Sequence, residues 1–129
     1  MGIIGIDHVA IRVKDIEEGI ANYRKLGYEL SETFETPGIG KQEIFRFPNG
    51  SFIELVAPLD SESAVGRALE NRGEGVHSLV LRTDDFENTV ESMIESGVNV
   101  IQTDDLKDNA FVHPKSTNGV LLQIQKVKS

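Results

Sequence analysis

The sequence predicts an α+β fold in which two βαβββ modules form a curved mixed sheet around one cavity. Two observations carry this. First, residues 5–30 (GIDHVAIRVKDIEEGIANYRKLGYEL) lie without a gap over residues 75–100 (GVHSLVLRTDDFENTVESMIESGVNV) at a constant offset of 70. Gly5/Gly75, Arg12/Arg82, Asp15/Asp85, Glu17/Glu87 and Gly27/Gly97 are identical, and Ile6/Val76, Val9/Leu79, Ile11/Leu81, Ile16/Phe86, Ile20/Val90 and Leu30/Val100 keep their apolar character. Chance supplies identities, but it rarely preserves apolar spacing and turn glycines together, so the chain reads as a duplication. Second, within each copy the apolar period passes from the two-residue spacing of a strand to the spacing of a helix.

Taken in order, Val9, Ile11 and Val13 alternate with Ala10 and Arg12 as in a half-buried strand. Asp15 stands three residues before Glu18, a capping-box-like helix start, and Ile16, Ile20 and Tyr23 give that helix its apolar stripe. Gly27 stops it, since glycine takes the left-handed C-cap conformation without a Cβ clash. The second copy repeats the order with Leu79 and Leu81 in the strand, Asp85 at the cap, Phe86, Val90, Met93 and Ile94 on the helix, and Gly97 at its end. Downstream, FPNGSFIEL (47–55) resembles HPKSTNGVLLQI (113–124), each a Pro- and Gly-bearing turn between antiparallel strands. SESAVGRALENRGEG (61–75) predicts a short helix and a Gly-rich turn. The expected organisation is one domain over residues 1–129, with module 1 at about 3–58, a connecting helix at about 61–73 and module 2 at about 75–127.

Composition narrows the function classes. Thirteen basic against 21 acidic residues give a net charge of −8, which repels nucleic-acid phosphate, and no basic stripe offsets it. There is no cysteine, so neither disulfides nor thiolate metal sites are available. The N-terminal apolar stretch is broken by Asp7 and Arg12 and lacks a basic leader region, and no run is long enough to span a membrane. A cytoplasmic protein that handles a small molecule, with no nucleic-acid or membrane partner, is the expectation.

The repeat singles out four polar positions inside otherwise apolar strands: His8 in IDHVAI, Glu54 in SFIELV, Ser78 in VHSLVL and Gln123 in VLLQIQ. His8 corresponds to Ser78, and Glu54 to Gln123. Strand alternation puts His8 opposite Val9 and Ile11, and Ser78 opposite Leu79 and Leu81, so a pseudo-twofold axis would make the four converge. Imidazole and carboxylate suit a divalent metal; a neutral hydroxyl and a carboxamide are poorer donors, and a hydrogen-bonded polar pair is the alternative. Glu43, in KQEIFRF, shares a strand face with Phe45 and Phe47 and is expected to look into the same cavity as a general base, or else to be an exposed acid on an edge strand. Asn109 is its expected counterpart. His77, one residue off the site register, reads as a structural histidine pointing toward the helix side. His113, Lys115 and Ser116, at the HPKST turn, either touch an anionic group of a ligand or form a solvated turn.

IDHVAIRVKDIEEGIANY, IELVAPLDSESAV, ENRGEGVHSLVL and FVHPKSTNGVLLQI together resemble the methylmalonyl-CoA epimerases, a branch of the vicinal-oxygen-chelate (glyoxalase/bleomycin-resistance/dioxygenase) superfamily, over nearly the whole chain. The resemblance implies the glyoxalase-like fold and an isomerase that abstracts a proton alpha to a thioester or carbonyl of a small substrate, an acyl-CoA among them. It also implies a divalent metal (Co, Ni, Mn or Zn) at His8, Glu54, Ser78 and Gln123, with Glu43 and the residue at 123 as the catalytic acids and bases, and a homodimer. The family uses Gln or Glu at the position of Glu54. Ser78 replaces an expected histidine, and Gln123 an expected carboxylate. These departures leave room for a metal-poor binding protein of the same fold, or for a different vicinal-oxygen-chelate lyase.

Overall fold

The computed structural model describes residues 2–101 and 108–127. Each half is βαβββ, as the repeat requires. The first runs β1 (Ile3–Arg12), α1 (Ile16–Lys25), β2 (Glu32–Thr36), β3 (Gly40–Arg46) and β4 (Phe52–Ala57); α2 (Ala64–Arg72) follows. The second runs β5 (Gly75–Thr83), α3 (Phe86–Glu95), β6 (Val100–Ile101), β7 (Asn109–Val112) and β8 (Leu122–Lys126), with a single 3-10 turn, Pro114–Ser116, before β8. Among the described residues no helix is long and apolar enough to cross a membrane.

By internal contacts the chain divides into two compact units, one formed by His8–His77 and the other by the residues up to Asp7 together with those from Ser78 onward. In the first unit the strand order is β2-β3-β4-β1, with β1 and β4 parallel and the other pairs antiparallel. In the second it is β5-β8-β7-β6, with β5 and β8 parallel. The N-terminal residues are tied into the second unit by Thr83, whose Oγ1 donates to the Gly2 carbonyl at 2.8 Å.

The helix boundaries follow local chemistry. Asp15 accepts from the backbone N–H groups of Glu17 and Glu18, satisfying two donors that the first turn leaves open. At the other end Gly27 lies at φ 96° and its counterpart Gly97 at φ 89°, the left-handed stops expected of both copies. The two caps differ, however: Asp85 makes no backbone cap bond and instead accepts from the Asn88 side chain. Ser63 caps α2 by accepting from Gly66 N–H at 3.0 Å.

α1 and α3 each cover one face of the sheet in their own unit. In the first unit Ile16 and Ile20 of α1 pack with Val13, Phe45, Leu55 and Ala57, and Ile11 and Ile53 border them. In the second Phe86 and Val90 of α3 pack with Ala110, Val112 and Ile124, bordered by Leu81 and Leu122. Leu55 and Ile124 are fully buried at corresponding places on the fourth strand of each half. Leu55→Ala is expected to lower unfolding stability by about 2–5 kcal/mol, because the close contact between β4 and α1 cannot collapse around the lost side chain; the midpoint of urea denaturation measures it.

Candidate active site

With the odd-numbered residues of β1 and β4 committed to the core under α1, the even-numbered ones face the other way. That face carries His8, Ala10 and Arg12 on β1 and Phe52, Glu54 and Val56 on β4, in a parallel register that sets His8 beside Phe52 and Ala10 beside Glu54. The His8 ring stacks on Phe52 with centroids 4.3 Å apart and planes 10° from parallel. His8 Nε2 stands 3.8 Å from Glu54 Oε2, and the two side chains are only 12% and 13% exposed. The half of the predicted constellation that lies in the first unit is therefore assembled, held between a stacked ring and a neighbouring strand.

Glu54 has a second partner. Gln42 Nε2 donates to Glu54 Oε1 at 2.7 Å, and Thr36 Oγ1 donates to Gln42 Oε1 at 2.6 Å. Neither Gln42 nor Thr36 stood out in the sequence. The alternation of Gln42 and Ile44 with Glu43 and Phe45 was a signal for Gln42, provided the register of β3 against β4 was known.

That register corrects the reading of Glu43. Glu43 does share a face with Phe45, but it pairs with Leu55, and Phe45 with Ile53, so the shared face is the one packed under α1. There its carboxylate is buried, with Oε2 accepting from Thr33 Oγ1 at 2.7 Å. It does not share the His8 and Glu54 face, and it is not an exposed edge acid. The β3 partner of Glu54 is Ile44. The counterpart of Asn109 also changes: Asn109 pairs with Gln125, two residues past Gln123, just as Gln42 pairs with Val56, two residues past Glu54. Asn109 corresponds to Gln42.

In the second unit Ser78 is buried, and Gln123 pairs with Val80 on the side of β8 turned away from Leu122 and Ile124. Gln123 Nε2 donates to Asn109 Oδ1 at 2.8 Å, so the same two strand positions are hydrogen-bonded to each other in both halves. His113 Nδ1 accepts from Lys115 N–H at 3.0 Å and Ser116 Oγ from Asn99 N–H at 2.9 Å. Both side chains hold the turn, and the Lys115 ammonium is the exposed positive group there.

A glyoxalase-like domain model matches residues 6–126. The chain belongs to the glyoxalase-like domain family. Within that family it is 32% identical to an ethylmalonyl-CoA/methylmalonyl-CoA epimerase of Cereibacter sphaeroides, covering 95% of this chain and 97% of that one. It is 29% identical to a mitochondrial methylmalonyl-CoA epimerase of Dictyostelium discoideum over 98% of this chain and 80% of the relative. The crystal structure of methylmalonyl-CoA epimerase from Mycobacterium tuberculosis superposes with a TM-score of 0.86 at 28% identity, covering 98% of this chain and 90% of that one. A Streptomyces coelicolor methylmalonyl-CoA epimerase variant in complex with 2-nitronate-propionyl-CoA superposes at 0.85 and 26%, covering 99% and 100%.

The donor chemistry does not fit the divalent metal that the family resemblance implies. Only His8 and Glu54 of the four positions are strong donors for a first-row ion, and one oxygen of Glu54 already accepts from Gln42. Ser78 offers a neutral hydroxyl. Gln123 offers a carboxamide bonded to Asn109. Among the described residues no group of three His, Cys, Asp or Glu side chains is placed to hold an ion.

A second feature of this glyoxalase-like chain lies further along the His8 face. Arg12 is 4% exposed; its Nε donates to the Gly73 carbonyl at 3.1 Å and its Nη1 to the Val76 carbonyl at 3.2 Å. Nη1 also lies 3.2 Å from His77 Nδ1, so His77 is the structural histidine expected, but it meets a guanidinium rather than a helix. Burial, then the charges of Arg12 and Arg72, push the His77 imidazole down from its ordinary 6.5 to about 4. Accepting from Arg12 requires the Nδ1 lone pair, so protonation removes the bond. Between pH 6.5 and 4 the unfolded chain binds a proton at His77 that the folded chain does not, so this contribution is complete above pH 6.5 and is lost as pH falls toward 4. His77→Gln is expected to flatten the decline of stability across that window, read from urea midpoints at stepped pH.

Proposed function

We propose that this chain is an isomerase of the methylmalonyl-CoA epimerase type, exchanging the proton alpha to the thioester of a small acyl-CoA. The observation that carries the reading is the His8–Glu54 pair, 3.8 Å apart on the sheet face opposite the core, in a chain that matches epimerases over nearly its full length. A base removes the α-proton, the electron pair moves onto the thioester oxygen, and the resulting enolate is reprotonated at carbon. On the His8 face the carboxylate is Glu54, and we assign it the proton. The His8 imidazole is the neighbouring group able to donate to an enolate oxygen.

The substitutions in this chain support that assignment. The family resemblance implies a Gln or Glu at position 54 and a carboxylate at position 123; here the carboxylate stands at Glu54 and the carboxamide at Gln123. The two functional groups occupy duplicated positions, so the acid–base group has in effect changed halves. Glu43, the base implied by the resemblance, is the competing assignment, and its burial beside Thr33 under α1 is what disfavours it.

The proposal extends to a cytoplasmic homodimer that contacts its ligand's anionic groups through Lys115, with His113 and Ser116 shaping the turn. Ile3, Ile4 and Ile6, exposed along the start of β1, are apolar surface that a second copy would cover. A second reading, a binding protein of the same fold without turnover, is favoured by one observation: position 123, where the family resemblance implies a carboxylate, holds a carboxamide that cannot exchange a proton.

Glu54→Gln is expected to lower incorporation of solvent deuterium at the α-carbon of methylmalonyl-CoA by roughly 10²–10⁴-fold, measured by mass spectrometry. Glu43→Gln is expected to retain exchange. The reverse pattern hands the role to Glu43, and a wild-type protein with no exchange above background leaves the binding reading. Titration with cobalt or nickel is expected to show no saturable site at micromolar concentration; stoichiometric binding with a rise in exchange would restore the metal centre.

A further inference from the structure

We propose that Gln42 is a positioning residue for the Glu54 carboxylate, and that Thr36 stabilises the amide orientation that Glu54 imposes on it. As a claim about catalysis this rests on the assignment of Glu54 above; as a claim about the free protein it does not.

A carboxylate only accepts hydrogen bonds, so Gln42 must turn its NH₂ toward Glu54, and it does so at 2.7 Å. The Gln42 oxygen then points away and needs a donor, which Thr36 Oγ1 supplies at 2.6 Å. Because a hydroxyl both donates and accepts, Thr36 alone would tolerate either orientation of the amide. Glu54 breaks that symmetry, and Thr36 stabilises the outcome. The order is built into the hairpin. Phe34 pairs with Gln42 and Thr36 with Gly40, so Thr36 and Gln42 are diagonal neighbours on one face, and Gln42, paired with Val56, lies two positions along from the Ile44–Glu54 pair and is diagonal to Glu54. With Oε1 held by Gln42, the carboxylate is fixed in rotation and Oε2 is the oxygen presented beside His8 Nε2 at 3.8 Å.

The other half carries a comparable pair. Asn109 and Gln123, at the positions corresponding to Gln42 and Glu54, are also bonded side chain to side chain, at 2.8 Å. There the donation runs the opposite way, from the strand-β8 residue to the strand-β7 residue. No charge is present in that pair to demand the other orientation. Two carboxamides can donate either way, so the second pair adopts a polarity that the acceptor-only Glu54 forbids in the first.

The test combines kinetics with a readout that needs no turnover. In α-proton exchange, Gln42→Leu is expected to lower kcat by about 10–100-fold with KM nearly unchanged, as befits loss of a hydrogen bond to a charged group. Thr36→Val should lower kcat by about tenfold, and Thr36→Ser, which keeps the hydroxyl, should restore it. The double variant Thr36→Val/Gln42→Leu should be no worse than Gln42→Leu alone, because both act on one chain of bonds. Independently, the Gln42 side-chain NH₂ resonances in ¹⁵N-labelled free protein should move in both Thr36→Val and Glu54→Gln, and stay put in Thr36→Ser. Multiplicative kinetic effects, or amide resonances unmoved by Thr36→Val and Glu54→Gln, overturn the proposal. A wild-type protein that exchanges no proton while those resonances move as expected removes the epimerase reading and leaves the relay standing.

Discussion

A strand that gives alternate side chains to a helix-covered core has only its remaining side chains to give to anything else, and this parity constraint governs the first unit. Leu55 is fully buried against α1, so Glu54 and Val56 must face the opposite way; Ile11 and Val13 border the same core, so His8 and Ala10 do too. Parallel pairing then fixes how far along the strands the two polar groups stand, and the stacking of His8 on Phe52 keeps the imidazole from rotating away. A slip of one residue in β4 would bury Glu54 beneath α1 and expose Leu55. Burying an unpaired carboxylate while losing a core leucine disfavours that alternative twice, once in solvation and once in packing.

Much of the architecture could be read from the chain because it rests on local rules. The helix starts at Asp15 and Asp85, the left-handed stops at Gly27 and Gly97, and the strand alternation around His8 all depend on a few neighbouring residues, and the duplication shows each of them twice. Glu43 marks where local reading ends. Its own strand reveals which residues it sides with, Phe45 and Phe47, but not which side that is; the answer depends on the register of β3 against β4, set by the turn between Phe47 and Ser51. Two backbone bonds close that turn, Phe47 N–H to the Ser51 carbonyl at 2.8 Å and Gly50 N–H to the Phe47 carbonyl at 3.0 Å. Arg12 and His77 lie beyond local reading for a different reason. Their meeting depends on residues 73–77 returning to β1 more than sixty positions later, and no periodicity records that return.

The buried Arg12 shows how such a return is secured. A guanidinium removed from water must find acceptors, and Arg12 takes two backbone carbonyls and an imidazole nitrogen. One carbonyl, of Gly73, ends α2, and the other, of Val76, lies at the start of β5, so the side chain clamps both ends of the Gly-rich turn. Lys14 N–H donates to the Glu74 carboxylate at 2.9 Å and ties the same turn down from the next residue pair. The Arg12 contact requires His77 to stay neutral, and the burial of the ring, with the charges of Arg12 and Arg72 added, keeps it so.

Duplication supplies two copies of every side-chain position, and the chemistry of the pair need not stay symmetric. The position of Glu54 and Gln123 holds an acid in one half and an amide in the other; the position of Gln42 and Asn109 holds an amide in both. An amide can face either an acid or another amide by turning over, whereas an acid in its place would repel Glu54 and demand a proton or a cation. Keeping carboxamides at the neighbouring positions therefore lets the acid appear in either half without rebuilding the hydrogen bonds around it. In a chain whose net charge is already −8, and which is proposed to bind an anionic acyl-CoA, a single acid among these four positions keeps a base while adding the least repulsion toward the ligand. The loss of the carboxylate at Gln123 is then not simply half of a site gone missing. It is the neutral member of a pair whose charged member, Glu54, is oriented by Gln42.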